Sequence, residues 1–158
     1  MEMPPPNEVS VVFYRSPDRY NYVDFCVRSV CRSPYTHVAL RIGNWTLHIG
    51  KDFPSQWIMH DMMSERWEPT AEIKIGDIVC HALEPRFKEY EGQILDRLRC
   101  WLYGFLIVGP NMDWLIPYPE PCTCVSIVRD ILADHFDIHV TGKHPGTLYD
   151  QLKEICNG

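Results

Sequence analysis

Cys124 stands where the sequence predicts the start of a helix. The segment TCVSIVRD, residues 123–130, places apolar residues at helical spacing directly after this cysteine. The unpaired N–H groups and positive dipole end of a helix N-terminus stabilise a thiolate. The same amides can donate to an oxyanion, a contribution of about 3 kcal/mol per donor. This position therefore favours a nucleophile that attacks an amide or ester carbonyl, and the alternative is a cysteine that packs as a small apolar residue.

His37 and His48 are two histidines that a predicted hairpin brings close together. They lie in THVALRIG and WTLHIG, whose alternation of polar and apolar residues around Gly43-Asn44 predicts a β-hairpin. Both histidines fall on the polar side of this hairpin, where facing residues have Cβ atoms about 5 Å apart. Their chemical value depends on a third group, and a neighbouring imidazolium would help to stabilise a Cys124 thiolate. The alternative is that both histidines are half-exposed polar residues of a sheet.

Zinc binding is the competing use of the same residue types. Cys122, Cys124, His37 and His48 form a nominal ligand set. However, Cys-x-Cys lacks the usual gap between paired ligands, and the histidines lie on different predicted strands. We therefore expect neither a metal ion nor another cofactor.

Tyr14, Tyr103 and Arg41 are further candidates for an oxyanion site or a substrate pocket. Tyr14 ends the first predicted strand and Tyr103 lies in LYGFL, so either hydroxyl could donate to an oxyanion. Arg41 shares the His37 face of its strand and could bind a carboxylate. Packing is the alternative for both tyrosines, and solvation is the alternative for Arg41. The tryptophans and methionines of residues 57–67 predict either the cover of an apolar groove or a flap over the core.

The order of predicted strands and helices indicates a mixed α/β fold of the α+β type. In this fold a central antiparallel sheet, flanked by helices, positions the candidate residues. Residues 51–70 have no clean period and predict a long loop or short helix, and residues 109–122 carry turn signals. The periodic segments are predicted strands over 9–14, 36–43, 45–50 and 71–83, and predicted helices over 16–33, 87–108 and 124–136 and after His144.

Length and composition limit the functions to consider. The 158 residues fit one domain over residues 1–158, with residues 1–8 expected to be flexible. A net charge of -6 with scattered Lys and Arg disfavours nucleic-acid binding, and the longest apolar run, residues 101–110, is too short for stable membrane insertion. Seven irregularly spaced cysteines and a start without signal-peptide features predict a cytoplasmic product. Later virion association or release, and the oligomeric state, are left open.

The order of the motifs resembles the circularly permuted papain-like proteins of the NlpC-type superfamily, which include the lecithin retinol acyltransferase family. HVALRIGNWTLHI is similar to the His-strand-turn-strand-His segment of that family, and TCVSIV is similar to its Cys-helix segment. Tyr103-Gly104 and PGTLYDQL are similar to a Tyr-Gly element and a closing helix of small permuted members from bacteria and phages. Thr123 and Val125 replace the Asn and Glu that flank the cysteine of the acyltransferases, which favours hydrolysis over acyl transfer.

The resemblance implies a permuted papain-like fold and a cysteine hydrolase, with Cys124 as nucleophile, His37 as base and His48 as the residue that orients His37. The expected reaction cleaves an amide or peptide bond of a peptide-like substrate through a thioester, as peptidoglycan-type amidases and endopeptidases do. Two alternatives stay open. One is a lipid thioesterase or acyltransferase that uses the same triad on an acyl substrate, and the other is a non-catalytic binding protein on the same fold.

Overall fold

The structure is a computed structural model that describes residues 7–15, 33–50, 53–59, 67–78 and 124–158, with the backbone alone described for 48–50 and 53–59. These residues form an antiparallel sheet and two helices, which confirms the mixed α/β class. The strands are β1 (Asn7–Arg15), β2 (His37–Ile42), β3 (Trp45–Gly50), β4 (Phe53–Met59) and β5 (Glu68–Ile78), and the helices are α1 (Cys124–Phe136) and α2 (Pro145–Asn157).

The described strands follow the order β4-β3-β2-β1-β5, and every neighbouring pair is antiparallel. β1 carries an unbroken run of buried residues over 9–14, because it pairs on both edges and is covered on both faces. In its register with β2, Tyr14 faces His37 and Val12 faces Ala39. This pairing determines which residues surround the candidate base.

The hairpin between β2 and β3 is confirmed, with its turn at Gly43-Asn44. Gly43 has a φ of 56°, a conformation that glycine adopts without a steric penalty from Cβ. Arg41 donates from Nε to the Gly43 carbonyl oxygen at 2.9 Å. The Gly43 N–H donates to the Glu8 carbonyl oxygen at 3.2 Å. These bonds tie the turn to β2 and β1 and support the register that carries His37.

Both helices pack on one face of the sheet, which we call the helix face. α1 contacts β2 and β3, and α2 contacts β5. Burial of an aliphatic or aromatic side chain contributes about 1.5–3 kcal/mol, so this layer holds both helices firmly on the strands. The main core between sheet and helices consists of Val9, Val11, Phe13, Val38, Leu40, Ile42, Leu47, Val125, Ile127, Val128, Ile131, Leu132, Val140, Leu148 and Leu152.

The opposite face of the sheet, which we call the second face, is buried along β1 and at His37 and Ala39 of β2, whereas Glu72 and Lys74 of β5 are exposed. Its apolar part is a small cluster of Val12, Tyr14 and Ala39, and Trp67 packs against this cluster. Thr46 of β3, which pairs with Arg41 of β2, is also buried. The sheet is therefore covered on both sides around the residues that the sequence marks for chemistry.

Helix boundaries agree closely with the sequence pattern. α1 begins at Cys124 and ends at Phe136, as predicted. α2 begins after a capping box, in which Nδ1 of His144 accepts the Thr147 N–H at 3.3 Å and Oγ1 of Thr147 accepts the His144 N–H at 3.4 Å. Pro145 occupies the first helical position, where a missing N–H has no cost. Within the described ranges, neither helix is long and apolar enough to cross a membrane.

Strand boundaries differ from the prediction in three places. β1 begins at Asn7, two residues earlier than predicted, and Asn7 and Glu8 pair with Ile78 and Asp77. The loop or short helix predicted over 51–70 is wrong for residues 53–59, which form β4. β5 starts three residues earlier than predicted, at Glu68, because it pairs with the end of β1. The predicted helices over 16–33 and 87–108 and the turns over 109–122 lie outside the described residues, apart from Ser33.

Candidate active site

Cys124 is the first residue of α1 and is half-buried. Its side chain packs against the main core, while the first turn of α1 contains no acidic residue. No carboxylate of that turn therefore competes with a Cys124 thiolate for the positive end of the helix dipole. This placement agrees with the thiolate-stabilising position that the sequence predicts, and it also allows the apolar packing of the alternative.

His37 is the first residue of β2 and is 4% exposed. Its ring stacks on Trp67, with the centroids 4.7 Å apart and the planes at 24°. The ring of Tyr14, its partner on β1, lies at 6.0 Å and 43°. The interpretation of His37 as a half-exposed sheet residue is therefore wrong, because aromatic rings enclose the imidazole on the second face.

Tyr14 is fully buried beside His37. Within the described residues its hydroxyl makes no hydrogen bond of acceptable geometry, although the Thr46 side chain lies close enough to influence it. Burial raises the pKa of Tyr14 to about 12, an effect that Thr46 and Arg41 partly offset. The hydroxyl therefore keeps its proton at neutral pH and is a hydrogen-bond donor, as an oxyanion site requires.

Arg41 is paired on the second face with a carboxylate that the sequence analysis did not single out. Its Nη1 lies 3.4 Å from Oε1 of Glu72, and Ser10 donates from Oγ to the same carboxylate. Because Glu72 belongs to β5, two strands away, no local motif links it to Arg41. Because the Glu72 carboxylate offsets the positive charge of Arg41, this side chain is less suited to bind a substrate carboxylate.

The structure brings Tyr14, His37 and Arg41 to the second face, whereas Cys124 packs against the core of the helix face. The contact between Cys124 and His37 stays a prediction. His48 belongs to β3, but its side chain lies outside the described part of the structure, as does Tyr103. Their predicted roles as orienting residue and pocket residue also stay predictions.

Trp67 and Thr46 belong to the surroundings of His37 and Tyr14. Trp67 lies in the stretch that predicts the cover of a groove or of the core, and nothing in that pattern links it to His37. Thr46 lies on the polar side of the predicted hairpin, and no local pattern links it to Tyr14. Among the described residues, no three His, Cys, Asp or Glu side chains come together as metal ligands, and Cys122 lies outside them.

Comparisons of the chain with protein-family profiles, with curated proteins and with solved structures find no match. Function is therefore inferred from the chemistry and positions of the residues above.

Proposed function

We propose that this protein is a cysteine hydrolase that cleaves an amide or peptide bond, with Cys124 as nucleophile and His37 as base. His48 is assigned the orienting role of the triad. The observation that carries the proposal is the position of Cys124 as the first residue of a 13-residue helix packed on the sheet. A helix of that length presents unpaired N–H groups and a developed dipole to the cysteine sulfur.

The reaction proceeds in two stages. The Cys124 proton moves to an imidazole nitrogen of His37, and the thiolate attacks the carbonyl carbon of the substrate. The tetrahedral oxyanion collapses to a thioester as the C–N bond breaks, and the leaving amine takes the proton from His37. A water molecule then gives a proton to His37 and attacks the thioester, which releases the carboxylic acid and restores the thiol.

The direction of α1 supports an approach of Cys124 to His37 at one end of the sheet. Phe136, the last residue of α1, lies next to Gly76, which pairs with Val9 at the end of the sheet away from His37. A 13-residue helix is about 18 Å long, close to the roughly 17 Å that β1 spans from Val9 to Tyr14. A helix aligned with the strands would therefore carry Cys124 to the end of the sheet where β2 begins.

A specific observation favours a second candidate, a non-catalytic binding protein on the same fold. His37 is enclosed by Trp67 and Tyr14 on the second face, while Cys124 packs against the opposite core. In that case the histidine stabilises the fold and the cysteine is an ordinary thiol. The two candidates differ in the reactivity of Cys124, which can be measured without knowing the substrate.

The deciding experiment is the rate of iodoacetamide alkylation at Cys124 as a function of pH, resolved by peptide mass spectrometry. Cys156 is an internal reference in the same chain, because this residue is exposed to the reagent. Desolvation raises the pKa of its thiol, so it should react only at higher pH. We expect the Cys124 rate to reach a plateau well below the free-thiol value of about 8.5, and Cys156 to react only at higher pH.

His37→Gln should abolish the low-pH plateau, because glutamine keeps a similar volume but cannot accept the proton. His139→Ala is the matched control, since His139 is an exposed histidine paired with Asp137. Cys124→Ser identifies the modified peptide. A Cys124 that titrates with Cys156, or whose plateau persists in His37→Gln, would refute the proposed nucleophile and base and favour the binding protein.

A further inference from the structure

Trp67 reaches the candidate base from a distant part of the sheet. It lies directly before β5, and β1 separates β5 from β2, so the indole crosses β1 to stack on His37. On the way it packs against the cluster of Val12, Tyr14 and Ala39. The separation of 4.7 Å and angle of 24° are those of a stacked pair, in which each ring restricts rotation of the other.

We propose that Trp67 is the positioning residue of His37, whose indole face fixes the plane of the imidazole and stabilises its protonated form. This inference rests on the proposed function. Trp offers the strongest attraction of the aromatic side chains for a cation over its face. Because His37 is almost completely shielded from water, the imidazolium formed when Cys124 gives up its proton needs stabilisation by neighbouring groups.

The charged and titratable side chains described beside His37 and Trp67 on the second face are a buried tyrosine and two ion pairs. Burial raises the pKa of Tyr14 to about 12, so this side chain is uncharged at the pH of the test. Arg41 on β2 is paired with Glu72 on β5. Beside Trp67, Arg15 and Glu68 form an exposed ion pair at 2.8 Å. The indole face stacked on the imidazole at 4.7 Å is therefore placed where it can favour the protonated ring.

The test compares Trp67→Leu, Trp67→Phe and wild type in the pH profile of Cys124 alkylation. We expect the midpoint of the profile to move to higher pH by about 0.5–1 unit in Trp67→Leu, which corresponds to a loss of about three- to tenfold in the ratio of imidazolium to imidazole. Trp67→Phe should give a smaller shift, because its ring still stacks. Trp45→Leu is the matched control, since Trp45 is 53% exposed at the hairpin turn.

A second measurement protects the test against a variant that fails to fold. Global replacement of tryptophan by 5-fluorotryptophan weakens the attraction of the ring face for a cation with little change in shape. It should move the midpoint in wild type but not in Trp67→Phe. A midpoint that is unchanged both in folded Trp67→Leu and on fluorination, while His37→Gln abolishes the plateau, would overturn the role of Trp67 and leave the proposed function intact.

The NMR titration of the His37 ring in a Cys124→Ser background separates the two proposals. A His37 titration that moves to lower pH in Trp67→Leu supports the stabilisation of the protonated ring by Trp67, even when Cys124 proves unreactive and the hydrolase proposal falls. An unchanged His37 titration overturns the inference directly. The backbone amide spectrum of each variant reports in the same experiment whether the protein is folded.

Discussion

Replacing Tyr14 with Phe should raise the free energy of unfolding at neutral pH. The Tyr14 ring is fully buried, and within the described residues its hydroxyl lacks a hydrogen bond of acceptable geometry. A buried hydroxyl without a partner costs about 1–3 kcal/mol relative to its hydrated state in the unfolded chain. Phe keeps the ring and its packing on Val12 and Ala39. We therefore expect Tyr14→Phe to be more stable than wild type by about 1–2 kcal/mol.

The same residue predicts a specific loss of stability in alkali. Burial raises the pKa of Tyr14 from 10.0 to about 12, so the folded state holds the phenolic proton more tightly than the unfolded state. The resulting stability is complete below pH 10 and is lost as the pH rises towards 12. The free energy of unfolding falls by about 1.4 kcal/mol for each pH unit in this window, about 3 kcal/mol in total. Tyr14→Phe lacks this contribution.

Urea denaturation at pH 7, 9 and 11, followed by far-ultraviolet circular dichroism, measures both effects. The difference between Tyr14→Phe and wild type should be constant from pH 7 to 9 and widen by about 1.4 kcal/mol at pH 11. Tyr149→Phe is the control, because Tyr149 packs on Phe13 and its hydroxyl interacts with Tyr35. Destabilisation of Tyr14→Phe by about 1 kcal/mol or more at pH 7 would show that the hydroxyl has a strong hydrogen-bond partner and would contradict the expected stabilisation.

Three further predictions concern α2 and its neighbours. Leu148→Ala should lower the free energy of unfolding in urea by about 2–5 kcal/mol, whereas Ile155→Ala, 49% exposed on the same helix, should change it by less than about 0.5. Burial lowers the pKa of His144, so the neutral imidazole stabilises the folded state above pH 6.5 and this stability is lost on acidification. The free energy of unfolding in urea should therefore fall less between pH 7 and 5 in His144→Asn than in wild type. Equal losses in the two proteins would contradict this. Gly142→Ala should lower the melting temperature, because the new Cβ would lie 2.7 Å from the Leu148 backbone nitrogen. Gly76→Ala should lower it less, because the nearest atom to that new Cβ would be 3.7 Å away, on the Phe136 ring.

Elements with local signals could be predicted from the amino-acid sequence. The turn at Gly43-Asn44 and the alternation on either side defined the hairpin, and the apolar spacing after Cys124 defined α1. The capping residues around His144 defined the start of α2. Turn conformation, helix caps and side-chain periodicity act within a few residues, so their effects can be derived without knowing the rest of the chain.

The strand β4 and the surroundings of His37 depend on contacts between distant parts of the chain. Residues 53–59 have no strand alternation, and they form a strand because β3 supplies the hydrogen-bonding partners. The stack of Trp67 on His37 and the pairing of Glu72 with Arg41 depend on the register of β5 against β1, across more than 25 positions of sequence. Contacts between residues so far apart follow from strand pairing and packing in three dimensions, which no local pattern encodes.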